Sequence, residues 1–298
     1  MQLLGCGTAA ACFLPSLLAF KSNSIMKRNI PSSGEALPVV GLGTWQTFDV
    51  GVNREQRRQL AEVLKEMKAL GGAMIDSSPM YGTSEQVVGD LCTEQQISEH
   101  FFYATKVWIS GRQAGIDQMQ SSMRKMKRST MDLMQIHNLV DWETHIKTLR
   151  DWKGEGKIRY WGITHYTNDS HEKLEQLIRQ ERPDFVQFNY SINERNAEKR
   201  LLDAAKDHEV AVIINRPYDG GNLFRKVRGK ELPDWCSDID INSWGQYFLK
   251  YILSYKAVNC VIPGTSKVKH VIDNMQAGYG RLPDVEQRLK MVHHFNNL

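Results

Sequence analysis

From residue 37 onward, short apolar runs rich in β-branched residues alternate with longer charged stretches of helical period. That pattern predicts βα units feeding a parallel sheet. The apolar runs Leu37–Gly43, Ala73–Asp76, Phe101–Lys106, Met131–His137, Ile158–Thr164, Asp184–Asn189, Val210–Asn215 and Val258–Pro263 read as eight strands. The periodic stretches at 54–70, 84–92, 113–128, 142–153, 169–181, 195–208, 242–256 and 267–277 read as helices. Gly71-Gly72 gives the first helix a C-terminal stop, and Pro183 ends the fifth. Strands recur at steps of roughly 25–35 residues, about one βα unit each. Eight such units predict an α/β fold of the (β/α)8 TIM-barrel type. The rival, an open doubly wound sheet, carries GxGxxG after its first strand, whereas here Gly41-Leu42-Gly43 is followed by Thr44-Trp45-Gln46. A longer last step places an insertion at 218–241, after the seventh strand. Val285, Leu289 and Val292 in the final stretch, Arg281–Leu298, are spaced as a closing helix.

Composition narrows this picture. The chain has 298 residues, 41% hydrophobic and 24% charged, which suits one barrel domain over residues 36–298. Residues 1–35 form an apolar, signal-like segment and linker. The run Leu3–Phe20 reads as the hydrophobic part of an export signal, too short and Pro-interrupted for a membrane span. It predicts export to the periplasm, with the cytoplasm as the alternative, and no stable span in the mature protein. The net charge is +4, and the basic run Arg124, Lys125, Lys127 and Arg128 has no interleaved aromatics. It reads as a solvated helix face, not a nucleic-acid footprint. Five cysteines, at 6, 12, 92, 236 and 260, form neither a CxxC pair nor a zinc spacing. No sequence signature bears on oligomeric state.

In a parallel barrel the active site is built from C-terminal strand ends. Asp76 ends the second predicted strand, Lys106 the third and His137 the fourth, while Tyr81 follows in the loop Ser78-Pro79-Met80-Tyr81-Gly82. Singly, each has a plain structural explanation: a helix cap, an amphipathic surface ring, a snorkelling lysine. Together they make a proton donor. A tyrosine hydroxyl near pKa about 10 is a weak acid at neutral pH, and an ammonium within about 4–6 Å lowers that value. Lys106 supplies the cation and Asp76 holds it ionised. His137 orients or polarises a substrate oxygen, or shares its proton with Tyr81.

These residues lie in segments that resemble the aldo-keto reductases. Gly41-Leu42-Gly43-Thr44-Trp45 is similar to that family's first-strand segment, and Ile75-Asp76-Ser77-Ser78-Pro79-Met80-Tyr81-Gly82-Thr83-Ser84-Glu85 to its Asp/Tyr motif. Ala104-Thr105-Lys106 and Leu133–Asn138 resemble its Lys and His motifs. Gly156–Arg159 with Gly162–Tyr166, and Ile262–Ser266 with Asp273-Asn274, continue the series in order. The resemblance implies hydride transfer between a nicotinamide cofactor and a small-molecule aldehyde or ketone, with Tyr81 as general acid and no metal. It implies NADP(H), with NAD(H) as the alternative. Gly43, Thr44, Trp45, Asp76, Thr164, His165, Gln187, Arg216 and Pro217 would surround the nicotinamide end, Gln187 bonding the carboxamide and Arg216 stacking on the ring. Gly264, Thr265, Ser266, Lys267, His270 and Asn274 would surround the adenosine end. His165 stands where the family commonly has Asn, and His270 where it commonly has an Arg that grips the 2′-phosphate. The substrate walls are expected from Trp45, Trp108 and Tyr218, with Met80 and Asn138 beside them.

Two other readings follow from the same residues. One is a cofactor-binding, redox-sensing or auxiliary subunit without strong turnover. The other is a metal-dependent barrel hydrolase with His137, Asp76 and His165 as ligands.

Overall fold

A computed structural model describes residues 24–298. The export-signal expectation for Leu3–Phe20 falls outside them. The chain opens with a hairpin, β1 (Lys27–Asn29) and β2 (Ala36–Pro38), paired antiparallel across a Pro/Gly-containing turn. It continues into eight parallel strands: β3 (Leu42–Gly43), β4 (Met74–Asp76), β5 (Phe102–Val107), β6 (Met131–His137), β7 (Ile158–Thr164), β8 (Phe185–Asn189), β9 (Ala211–Asn215) and β10 (Val258–Val261). Neighbours in sequence are neighbours in space from β3 to β10, all parallel. Isolated parallel bridges Val40–Val261 and Gly43–Gly264 bring the last strand back to the first. The result is a (β/α)8 barrel.

Helices α1 (Arg54–Ala69), α2 (Ser84–Glu94), α3 (Arg112–Lys125), α4 (Trp142–Gly154), α5 (His171–Glu181), α6 (Leu201–Asp207), the short α7 (Asn222–Lys226), α8 (Trp244–Leu253) and α9 (Val268–Gln276) follow the strands, and α10 (Val285–Asn296) closes the chain. Local chemistry sets their ends. The Asn53 side chain accepts from Gln56 N to start α1, whose Leu60, Val63, Leu64 and Met67 lie buried at helical spacing. Gly71, at φ +74°, stops it. Asp284 and Gln287 form a reciprocal capping box on α10.

Two apolar layers result. The larger lies between strands and helices; the smaller fills the barrel interior with Met74, Phe102, Leu133, Tyr160, Phe185 and Ile213. Ile30 and Leu37 of the hairpin belong to that interior cluster, so the hairpin plugs the N-terminal end of the barrel. Two expectations change here. The hairpin begins within the stretch read as a linker, and the predicted strand Leu37–Gly43 divides between hairpin and barrel, leaving β3 only two residues long. The insertion at 218–241 holds α7 and short 3-10 turns, and the expected helix at 195–208 contracts to α6 after a 3-10 turn.

Candidate active site

Because all eight strands run the same way, their last residues meet at one mouth. Asp76 ends β4, Lys106 is next to last in β5, His137 ends β6, Thr164 ends β7 and Asn215 ends β9. Lys106 is fully buried. Its ammonium donates to Asp76 Oδ2 at 2.6 Å and to the Ser77 carbonyl at 2.7 Å. The other Asp76 oxygen accepts from Gln135 Nε2 at 3.1 Å and from Gln187 Nε2 at 2.9 Å. Asn215 Nδ2 extends the chain to Gln187 Oε1 at 3.3 Å. One carboxylate thus ties together five strands. Both Asp76 oxygens are engaged by protein donors, and among the described residues no group of three or more His, Cys, Asp or Glu side chains is placed to hold a metal ion, so the three ligands of the hydrolase reading are not gathered.

Tyr81 sits above this pair, with Lys106 Nζ 5.2 Å from the centre of its ring. Its loop is a tight turn: Tyr81 N donates to Ser78 O and Ser84 N to Tyr81 O. Gly82 has φ +59°, and a Cβ there would strike the Asp49 carboxylate, which accepts from Thr83 N and Thr83 Oγ1. These contacts fix where the phenol points.

Electrostatics correct two expectations. Burial pushes the Tyr81 phenol above its ordinary value; the Lys106 charge opposes that shift without reversing it, and Asp76 adds to it. Burial also pulls on Lys106, but the charge of Asp76 and its hydrogen bond raise the ammonium above its usual range. His137 is pulled down to about 2, first by burial, then by the Lys106 and His165 charges. It is therefore neutral, carrying a single ring proton and no second, acidic one to pass to Tyr81. Its Nδ1 lies 3.0 Å from Ser78 Oγ. With that serine hydroxyl as donor, the imidazole proton resides on Nε2 and serves as a fixed donor.

A cavity of about 520 Å³ opens over these groups. Among the expected residues it is lined by Gly43, Thr44, Trp45, Asp76, Met80, Tyr81, Trp108, His137, Asn138, Thr164, Gln187 and Arg216. Tyr166, Asn215 and Ile262, absent from the sequence expectation, line it too. Trp45, Trp108 and Tyr166 leave 41–49% of their surfaces exposed, so a wall of half-exposed aromatic rings faces the opening. Tyr218 is a correction: its hydroxyl donates to Asn274 Oδ1 at 2.6 Å and its ring packs 4.7 Å from Phe224, away from the cavity. His165 does not line the cavity either. Its ring stacks on Tyr166 and its Nδ1 receives Thr167 Oγ1. Pro217, Gly264, Thr265, Ser266, Lys267, His270 and Asn274 lie outside the cavity, after β9 and β10. His270 is pulled down by burial and by Lys267 and Lys269, so positive charge there belongs to the lysines.

Gln135 is the polar residue that the sequence reading passed over. Its signal was a glutamine inside the otherwise apolar run Leu133–Ile136, where a buried amide requires partners.

A model of the aldo/keto reductase family matches residues 39–289. Among known proteins, the chain is 27% identical over 258 residues to Methylglyoxal reductase YeaE of Escherichia coli, covering 84% of this chain and 89% of that one. It is also 27% identical over 252 residues to Methylglyoxal reductase DkgB of Yersinia pestis, covering 81% and 87%. Among solved structures, an aldo/keto reductase from Klebsiella pneumoniae in complex with NADP and acetate superposes with a TM-score of 0.74 at 21% identity, over 88% of this chain and 93% of that one. The holo form of AKR11C1 from Bacillus halodurans does so with 0.72 at 22% identity, over 91% and 96%. Those likenesses establish the shared barrel, and the family match runs from before β3 into α10: the chain belongs to the aldo/keto reductase family.

Proposed function

We propose that the protein is an NADP(H)-dependent oxidoreductase that reduces a small aldehyde or ketone to an alcohol, with Tyr81 as general acid. The observation that carries this reading is the fully buried Lys106–Asp76 pair lying against the Tyr81 ring beneath an open, aromatic-walled cavity.

Tyr81 OH and His137 Nε2–H are two donors that can converge on one carbonyl oxygen and polarise its bond. When bound, NADP(H) supplies a hydride, which carries two electrons to the carbonyl carbon. The Tyr81 O–H bond breaks as its proton passes to the oxygen, leaving a phenolate that solvent later reprotonates. Burial keeps the phenol protonated until then, and Lys106 acts chiefly on the phenolate that forms. Asp76 keeps Lys106 charged in a site where a lone ammonium would lose its proton.

The lining fits a nicotinamide amide. Asn138 Oδ1 and Asn215 Oδ1 are buried without partners, two acceptors available to an amide N–H. Thr44, Trp45, Thr164 and Gln187 share that lining, with His165 behind Tyr166. Gly264, Thr265, Ser266, Lys267, His270 and Asn274 would hold the adenosine end, with Lys267 and Lys269 as charge for a 2′-phosphate.

The test is NADPH binding by fluorescence, followed by NADPH consumption over an aldehyde and ketone panel headed by methylglyoxal, the substrate named for two relatives. Tyr81→Phe should cut turnover by about a hundredfold or more while NADPH still binds. Binding without turnover of any carbonyl would favour the auxiliary-subunit reading, and a lower KM for NADH would overturn the NADP assignment.

A further inference from the structure

The charges around the cavity leave one imbalance. Asp76 is matched by Lys106, and His137 is neutral. Arg216 remains. Its guanidinium reaches Asp219 Oδ1 only at 3.9 Å, the edge of ion-pair distance. The second Asp219 oxygen accepts from Asn193 and Asn222. On its other side Arg216 lies 5.9 Å from the centre of the Tyr166 ring, which lines the same cavity. His165 is stacked against that ring, and burial and His171 hold its imidazole below its ordinary value.

We propose that Arg216 makes this cavity discriminate against the oxidised cofactor, so that the site binds NADPH well and releases NADP⁺ readily. The inference rests on the NADP(H)-dependent reading above. A nicotinamide that delivers hydride to a carbonyl held at Tyr81 must share the 520 Å³ cavity with Arg216. Taken as a sphere, that volume spans about 10 Å, so no position for the ring escapes the guanidinium's field. Loss of the hydride, with its two electrons, turns a neutral dihydronicotinamide into a pyridinium cation. The neutral ring loses nothing beside Arg216, and a planar guanidinium can stack on it. The cation is repelled. At a separation of about 6 Å in a partly solvated site, one unit-charge repulsion is worth on the order of tenfold in affinity.

Dissociation constants for NADPH and NADP⁺ are measured by quenching of tryptophan fluorescence, since Trp45 and Trp108 line the cavity. In the native protein the oxidised form should bind about tenfold more weakly than the reduced form. Arg216→Gln, which keeps bulk and a planar polar head, should erase most of that ratio, whereas Arg216→Lys should retain most of it. A ratio in Arg216→Gln within about twofold of the native one overturns the inference, as does equal binding of both forms by the native protein. Equal binding leaves the proposed function standing. If NADPH does not bind at all, both fall.

Discussion

Replacing Lys106 by methionine keeps an unbranched apolar side chain in a fully buried slot and deletes one positive charge. The Asp76 carboxylate keeps two amide donors, Gln135 and Gln187, but loses its counter-ion and the 2.6 Å bond. Breaking one side of a buried ion pair costs about 3–5 kcal/mol. For a chain of this size, that lowers the melting temperature by about 6–20 °C. Tyr81 simultaneously loses the cation that stabilises its phenolate, and carbonyl reduction should fall by about a hundredfold or more. The double variant Lys106→Met/Asp76→Asn separates the two effects. With both charges gone, no lone ion is buried, so most of the lost stability should return while turnover stays low. Calorimetry or thermal melts give the first quantity and NADPH consumption the second. Native melting and turnover in Lys106→Met, or turnover recovering with stability in the double variant, would refute the role assigned to the pair.

The pH dependence of stability gives a second check. The folded-state pKa of His137, about 2, lies below the ordinary 6.5, so its contribution is present above pH about 6.5 and is lost as pH falls toward 2. Between pH 7 and pH 5 that loss is about 2 kcal/mol, so His137→Asn should lose about that much less stability than the native protein over this interval; equal losses would show that His137 is charged in the folded state. Gly43→Ala tests the barrel seam, because a Cβ at Gly43 would sit 2.9 Å from the Ile262 carbonyl. It should cost about 1–3 kcal/mol in chemical denaturation, and a neutral result would mean that the β3–β10 seam yields freely.

How much of this was legible beforehand follows from what each residue type reveals. Met131–His137 and Ile158–Thr164 were bounded as the structure has them, because long apolar runs ending at polar residues mark a buried strand clearly. Leu37–Gly43 was not, since an apolar run has the same appearance whether it pairs with a hairpin or with the barrel. Asp76, Tyr81, Lys106 and His137 could be gathered from strand-end positions alone. The sign of the Tyr81 shift could not: proximity to Lys106 was readable, but the depth of burial that outweighs it is a property of the folded site and not of the local sequence. Tyr218 failed for a similar reason. Its residue type suits a pocket wall, but the short turn after β9 points its ring toward Phe224.

The Asp76 carboxylate reaches β5, β6 and β8 directly, and β9 through Gln187. The chain is made in order from β3 to β10, so a nascent half-barrel ending at β6 already holds Asp76, Lys106, Gln135 and His137. It lacks Gln187 and Asn215. Until those later strands arrive, the mouth stays wet and the carboxylate remains hydrated, so Tyr81 lacks the burial that keeps it protonated and the low-dielectric setting in which Lys106 acts most strongly. Activity should therefore emerge only with closure of the whole barrel, which would make enzymatic turnover a stricter reporter of complete folding than helix content.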